Sequence, residues 1–151
     1  MARCPLLYVR GNHDDALERN PPEGCICIED QVYHYQGIRI LGLGGSYRYR
    51  DGHNMYTEAQ MERRILRQKF RLWRSGGFDI LMTHAPARHI NDMETPTHRG
   101  FQCFTRLLDE YQPRFFVHGH IHKNYGRGIP ERTVYRDTTV LNASGRCIFE
   151  Y

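Results

Sequence analysis

The chain has 151 residues, 40% of them hydrophobic and 25% charged, with a formal net charge of +4. That length suits one domain with its own core, here residues 1–151, and no run approaches the roughly 18 apolar residues that cross a membrane. The opening "MARCPLLYVR" lacks the apolar centre and cleavage site of a secretory signal, so a cytoplasmic protein with no membrane partner is expected.

In chain order, the first element is a short buried strand, "PLLYV", which runs straight into "RGNHDD". Cys25 and Cys27 follow in "GCICI". With five cysteines in all and no CxxC pair, small buried or half-buried thiols are expected rather than disulfides or a structural zinc site. "QVYHYQGIRILGLGG" reads as a hairpin turning at Gln36 and Gly37. The loop "GSYRYRDGHNMY" then leads to a helix over 58–75, with Thr57 as its cap, Gln60 as the capping-box partner and Gly76 and Gly77 as its stop. Within this helix Arg63, Arg64, Arg67, Lys69, Arg71 and Arg74 read as a solvated outer face. Ile65, Leu66, Phe70 and Trp73 read as its buried stripe. No aromatics interleave with the charges as stacking platforms, so a nucleic-acid partner is not expected.

"FDILMTH" is the next buried strand. A proline-bearing loop and an amphipathic helix over about 100–111 follow, with Phe101, Phe104, Leu107 and Leu108 inward. Pro113 precedes the strand "RFFVHGH", and the tail reads as two or three short strands with a turn at Ser144 and Gly145.

Three apolar strands, ending near residues 9, 83 and 117, run into loops that open on histidine or on Asn and His. Loops at the carboxyl ends of strands in an open α/β sheet converge on one crevice, so one site built from three loops is expected. Its side chains are Asn12, His13, His84, His118, His120 and His122. Imidazole and amide oxygen suit Zn, Mn, Fe or Co better than Ca or Mg. In "GHIH" a tight turn at Gly119 is expected, with His120 and His122 projecting the same way. His118 is either packed or behind the site. His98 and Arg99 either line a substrate pocket or simply lead into the following helix, and Arg48 and Arg50 read as a solvated loop. Asn142 in "LNAS" is at most a weak candidate behind the site.

"GNHD", "THAP" and "GHIH", in that order and each at a strand end, resemble the last three of the five motifs of calcineurin-like metallophosphoesterases. The resemblance implies an α/β fold of two facing mixed β-sheets flanked by helices. It implies a metal-dependent phosphoesterase, acting on phosphodiesters through a metal-bound hydroxide. Asn12, His84 and His120 would bind the second metal and His122 the first. His13 would act as general acid on the leaving oxygen, with Asp14 accepting a hydrogen bond from it. Divalent Mn, Fe, Zn or Co is the implied cofactor, two ions in the intact family and one here. A phosphoester, a nucleotide among the candidates, is the implied substrate.

The family also carries D-x-H and G-D-x-x-D motifs upstream of "GNHD", whereas the ten residues before Gly11 contain no Asp or His. An N-terminally truncated domain with an incomplete dimetal site is therefore expected. A non-catalytic scaffold on the same fold, or ligands supplied by another chain, are the alternatives.

Overall fold

The computed structural model describes residues 4–122 and 129–151. Strand β1 (Leu6–Tyr8) pairs in parallel with β2 (Cys25–Cys27), with the single-turn helix α1 (Ala16–Arg19) between them in sequence. β3 (Gln31–Tyr35) and β4 (Ile38–Leu43) form the expected hairpin, and Gln36 and Gly37 make its two-residue turn with φ of 49° and 82°. β5 (Ser46–Tyr47) and β6 (Met55–Tyr56) form a second small parallel pair. Helix α2 (Glu58–Ser75), strand β7 (Ile80–Thr83), a 3-10 turn at Pro96–His98 and helix α3 (Gln102–Tyr111) follow. The described part ends with β8 (Phe115–His118), β9 (Arg132–Tyr135) and β10 (Thr138–Asn142).

Six strands make one mixed sheet in the order β3-β4-β7-β8-β10-β9. β4, β7, β8 and β10 are parallel, and the two edge strands run antiparallel to their neighbours. The fold is thus mixed α/β with flanking helices, as the motif order implies. Two two-stranded parallel pairs, β1–β2 and β5–β6, lie outside this sheet among the described residues, and Glu29, just beyond β2, forms a single bridge to Gly42 of β4.

Strand alternation divides the core. Leu41, Leu81, Phe116 and Val140 share one cluster with Met61, Ile65 and Leu72 of α2 and Phe104, Leu107 and Leu108 of α3. Ile80, Phe115 and Leu141 form the other, covered by Cys147 and Phe149 of the tail. The β9–β10 turn falls at Arg136 and Asp137, the chain bends again at Ser144 and Gly145 as expected, but the tail beyond Asn142 forms no strand. It packs instead as a cover, with the Phe149 ring 4.8 Å from that of Phe115.

The limits of α2 agree with the sequence reading. Thr57 and Gln60 close a capping box, and Gly76, at φ 68°, ends the helix in the left-handed region that glycine adopts at least cost. Its orientation does not agree. Met61, Arg64, Ile65, Gln68 and Leu72 face inward, while Leu66, Phe70 and Trp73 are 58%, 68% and 76% exposed. α2 has two apolar stripes, and the sheet takes the one that also carries Arg64. That arginine is buried: Nε donates to Asp30 Oδ1 at 2.9 Å, Nη1 donates to Gly44 O at 2.8 Å, and the guanidinium lies 4.4 Å from the Tyr56 ring centroid. Its charge is therefore compensated inside the structure.

Candidate functional site

The loops after β1, β7 and β8 meet at one edge of the sheet, as expected for strand carboxyl ends. A pocket of about 260 Å³ opens there, lined by Asn12, His13, Tyr49, His84, Thr97, His98, His120 and His122. Asn12 is buried, His84 and His120 are half-buried, and His13 and His122 stand exposed at the rim.

At the floor, His84 Nε2 is 2.9 Å from Asn12 Oδ1 and 3.0 Å from His120 Nδ1. His120 Nε2–H donates to Thr97 O at 2.7 Å, which leaves its Nδ1 as a lone pair facing His84. The amide oxygen of Asn12 is an acceptor only. In its Nε2–H tautomer His84 donates to both of these acceptors, and a cation held here would take the place of that proton. Burial pushes the His84 imidazole down to about 4, with the nearby His120 adding to the effect, and burial lowers His120 as well. Both rings are neutral near pH 7, the form that ligates metals.

Local geometry explains why these residues fold this way. A Cβ on Gly11 would lie 2.6 Å from His84 Cε1, so only glycine lets the chain pass beneath that ring. Gly11 N–H in turn donates to Asp14 Oδ2 at 2.6 Å. The Asp14 carboxylate thus holds the Gly11 turn, and the expected hydrogen bond from His13 to Asp14 is not formed. Gly119 is not the tight point of "GHIH" either. His120 has φ 66°, and Ile121 N–H donates to Gly119 O at 2.7 Å across it, a strained γ-turn centred on the histidine. Gly119 N–H donates to His84 O at 3.0 Å, and Asn142 Nδ2 donates to Ile121 O at 3.0 Å. The loop is thereby tied to the end of β7 and to β10. Strain of this kind persists only where the surroundings over-determine it.

The segment between β7 and α3 is ordered by its own contacts. Arg88 pairs with Asp92 and Glu94, each at 2.8 Å, and Asp92 also accepts from His89 N–H at 2.9 Å and Gly100 N–H at 3.0 Å. This closure presents the Thr97 carbonyl to His120. His98 lines the pocket, with its ring 5.6 Å from that of His120. Arg99 does not line the pocket, and its guanidinium lies 5.4 Å over the Tyr47 ring. Arg48 and Arg50 are exposed and outside the pocket as well. His118 is packed: 1% exposed, its ring 5.3 Å from that of Phe116, with Nδ1–H donating to Gly119 O at 3.0 Å.

Two lining residues, Tyr49 and Thr97, escaped the sequence reading. Tyr49 lay within a loop where only the arginines drew notice, and Thr97 acts through a carbonyl that no motif encodes.

An amide oxygen and neutral imidazole nitrogens, donor types that suit a divalent cation, meet at the floor in Asn12, His84 and His120. Among the described residues no group of three or more His, Cys, Asp and Glu side chains is arranged to hold a metal, and no carboxylate lines the pocket. His122 stands at the rim of the same pocket, beside His13 and His98.

Residues 1–124 match the family model of calcineurin-like phosphoesterases. The crystal structure of TT1561 of Thermus thermophilus is similar, with a TM-score of 0.60 and 17% identity over 91% of this chain and 62% of that one. Another crystal structure gives a TM-score of 0.61 and 17% identity over 90% of this chain and 56% of its own. This chain thus spans less than two thirds of either structure, and the likeness is one of fold. No curated protein matches the chain. No helix among the described residues is long and apolar enough to cross a membrane.

Proposed function

Because this chain belongs to the calcineurin-like phosphoesterase family, whose members are in general metal-dependent phosphoester hydrolases, we propose that its pocket binds a divalent cation and serves phosphodiester hydrolysis. The observation that carries this reading is the meeting of Asn12 Oδ1 and His120 Nδ1 at His84 Nε2, 2.9 and 3.0 Å from it, at the pocket floor. Mn, Fe, Zn or Co suits an amide-and-imidazole set. When bound, such an ion supplies Lewis acidity, polarising a phosphoryl oxygen and lowering the pKa of a water.

This chain's own residues account for the remaining steps. Thr97 O and the γ-turn orient His120, Gly11 makes room for His84, and burial keeps both imidazoles neutral. His13, exposed at the rim and free of any ligand role, reaches a phosphate from the solvent side. Water adds to phosphorus, the ester P–O bond breaks, and His13 gives a proton to the departing alkoxide. One proton of the attacking water restores His13, and the other leaves with the phosphomonoester or to solvent. Tyr49 and His98 flank the space for the alcohol portion of the substrate.

A non-catalytic binding module is the second reading. It is favoured by one observation: a pocket without carboxylates offers a complete donor set for one cation, not two.

Manganese titration by calorimetry, paired with hydrolysis of an aryl phosphodiester, tests both. His84→Ala and His120→Ala abolish metal binding. His13→Ala retains binding and lowers turnover by about 10²–10⁴-fold. Metal affinity unchanged by His84→Ala and His120→Ala overturns the site. Metal binding without turnover in the unmodified chain decides for the binding module.

A further inference from the structure

The outer face of α2 is unusual for a helix already packed on a sheet. Leu66, Phe70 and Trp73 stand 58%, 68% and 76% exposed, and the Phe70 and Trp73 rings lie 6.0 Å apart. Arg63, Arg67, Arg71 and Arg74 are exposed beside them. At 100° per residue, Trp73, Leu66, Phe70, Arg63, Arg74 and Arg67 follow one another around about 120° of the helix. An apolar stripe thus runs alongside a row of positive charge, the pattern of helices that lie in a membrane interface.

The neighbouring carboxylates are already engaged. Glu62 accepts from Arg106 at 2.8 Å, Glu110 from Lys69 at 2.6 Å, and Asp30 from the buried Arg64 at 2.9 Å. Arg71 Nη1 donates to Asp30 O at 3.0 Å and to Gln68 Oε1 at 2.8 Å, so its charge meets no carboxylate. Arg63, Arg67 and Arg74 form no ion pair or hydrogen bond among the described residues.

We propose that this face docks the protein on an anionic phospholipid bilayer, with Leu66, Phe70 and Trp73 entering the headgroup–acyl boundary and the arginines meeting lipid phosphates. Charge complementarity names an anionic occupant. The side chains decide among anionic occupants. Leu66 offers nothing to a stacked base, and Phe70 and Trp73 pack on each other rather than opening between them a slot for one. The apolar side chains project outward, as insertion into lipid requires. A second copy of the chain would bring the same positive row against this one. The proposal revises the sequence-based expectation of no membrane partner, which rested on the lack of a spanning segment. It is independent of the metal site, which lies at the carboxyl ends of the strands.

Trp73 is the only tryptophan of the chain, so indole emission reports this face alone. The test adds phosphatidylcholine vesicles, with or without about 30% phosphatidylglycerol, to the whole chain in low salt and follows both emission and co-sedimentation. A blue shift and co-sedimentation with the anionic vesicles are expected, fading as salt is raised. Partitioning falls about fivefold for each of Arg67→Gln and Arg74→Gln. Leu66→Ser with Phe70→Ser abolishes the shift while the melting temperature is kept, because both side chains are exposed. The proposal is overturned by unchanged emission with anionic vesicles, by co-sedimentation without a blue shift, or by equal binding to neutral vesicles. A shift produced only by a single-stranded oligonucleotide, or only by raising protein concentration, overturns it as well.

Discussion

Substituting Gly11 by alanine puts a methyl carbon 2.6 Å from Cε1, 2.8 Å from Nδ1 and 3.0 Å from Nε2 of His84. Carbon contacts settle at about 3.5–4.0 Å, so the ring retreats by roughly 1 Å. The backbone at Gly11 lies outside the left-handed region, so alanine meets no conformational penalty there. It even removes about 0.4–1 kcal/mol of unfolded-chain freedom. Against this stand about 1–3 kcal/mol for overpacking and about 1 kcal/mol for the contact that His84 Nε2 loses. The net is a destabilisation of about 1–3.5 kcal/mol, or a melting shift of about 2–14 °C for a chain of this size. The effect on metal binding is larger in proportion, because the displaced atom is the one that stands 2.9 Å from Asn12 Oδ1 and 3.0 Å from His120 Nδ1. Losses of about 10–100-fold in affinity accompany comparable disturbances of ligand orientation. Manganese titration by calorimetry, beside thermal melting in chelator, separates the two quantities. A variant that melts lower yet binds manganese as tightly as the parent refutes the reasoning, since it shows that His84 can move without cost to the ion.

Asn142→Ala removes the donor that holds Ile121 O and costs about 1–3 kcal/mol. Metal affinity falls about tenfold because the His120 γ-turn relaxes, and unchanged affinity in the same titration contradicts this. Burial holds His84 and His118 at about 4, whereas the unfolded imidazoles take up protons near 6.5. The unfolded chain thus binds more protons between those values, so stability present above pH 6.5 is lost as pH falls toward 4, by up to about 3 kcal/mol per histidine. Urea midpoints in chelator, measured from pH 7 to pH 4.5, decline accordingly, and a flat profile excludes the effect. Arg64→Met leaves Gly44 O without its donor and Asp30 without its partner, at a cost of about 2–4 kcal/mol in a urea melt. Because Asp30 is 41% exposed, water offsets part of its loss. Arg64→Lys recovers little, since an ammonium cannot reach both oxygens as the guanidinium fork does.

The hairpin at Gln36 and Gly37, the bounds of α2 from Thr57 to Gly76, and the meeting of Asn12, His84 and His120 were all determined by the sequence itself. Each rests on short-range chemistry: turn residues that tolerate positive φ, a capping box that satisfies orphan amides, and polar residues placed at the ends of apolar strands. Only the tertiary structure decided which apolar stripe of α2 turns inward. The period of the pattern marks a helix with apolar sides, but packing against Leu41, Leu81 and Phe116 selects Met61, Ile65 and Leu72 over Leu66, Phe70 and Trp73. The same holds for Arg64, singled out from a row of arginines because Asp30 and Gly44 lie where it enters. It holds for His120 too, whose imidazole tautomer is set by a carbonyl at Thr97 and whose strained turn is held by Asn142. These features depend on partners far along the chain, and burial and hydrogen-bond satisfaction, rather than local propensity, select among the options that the sequence leaves open.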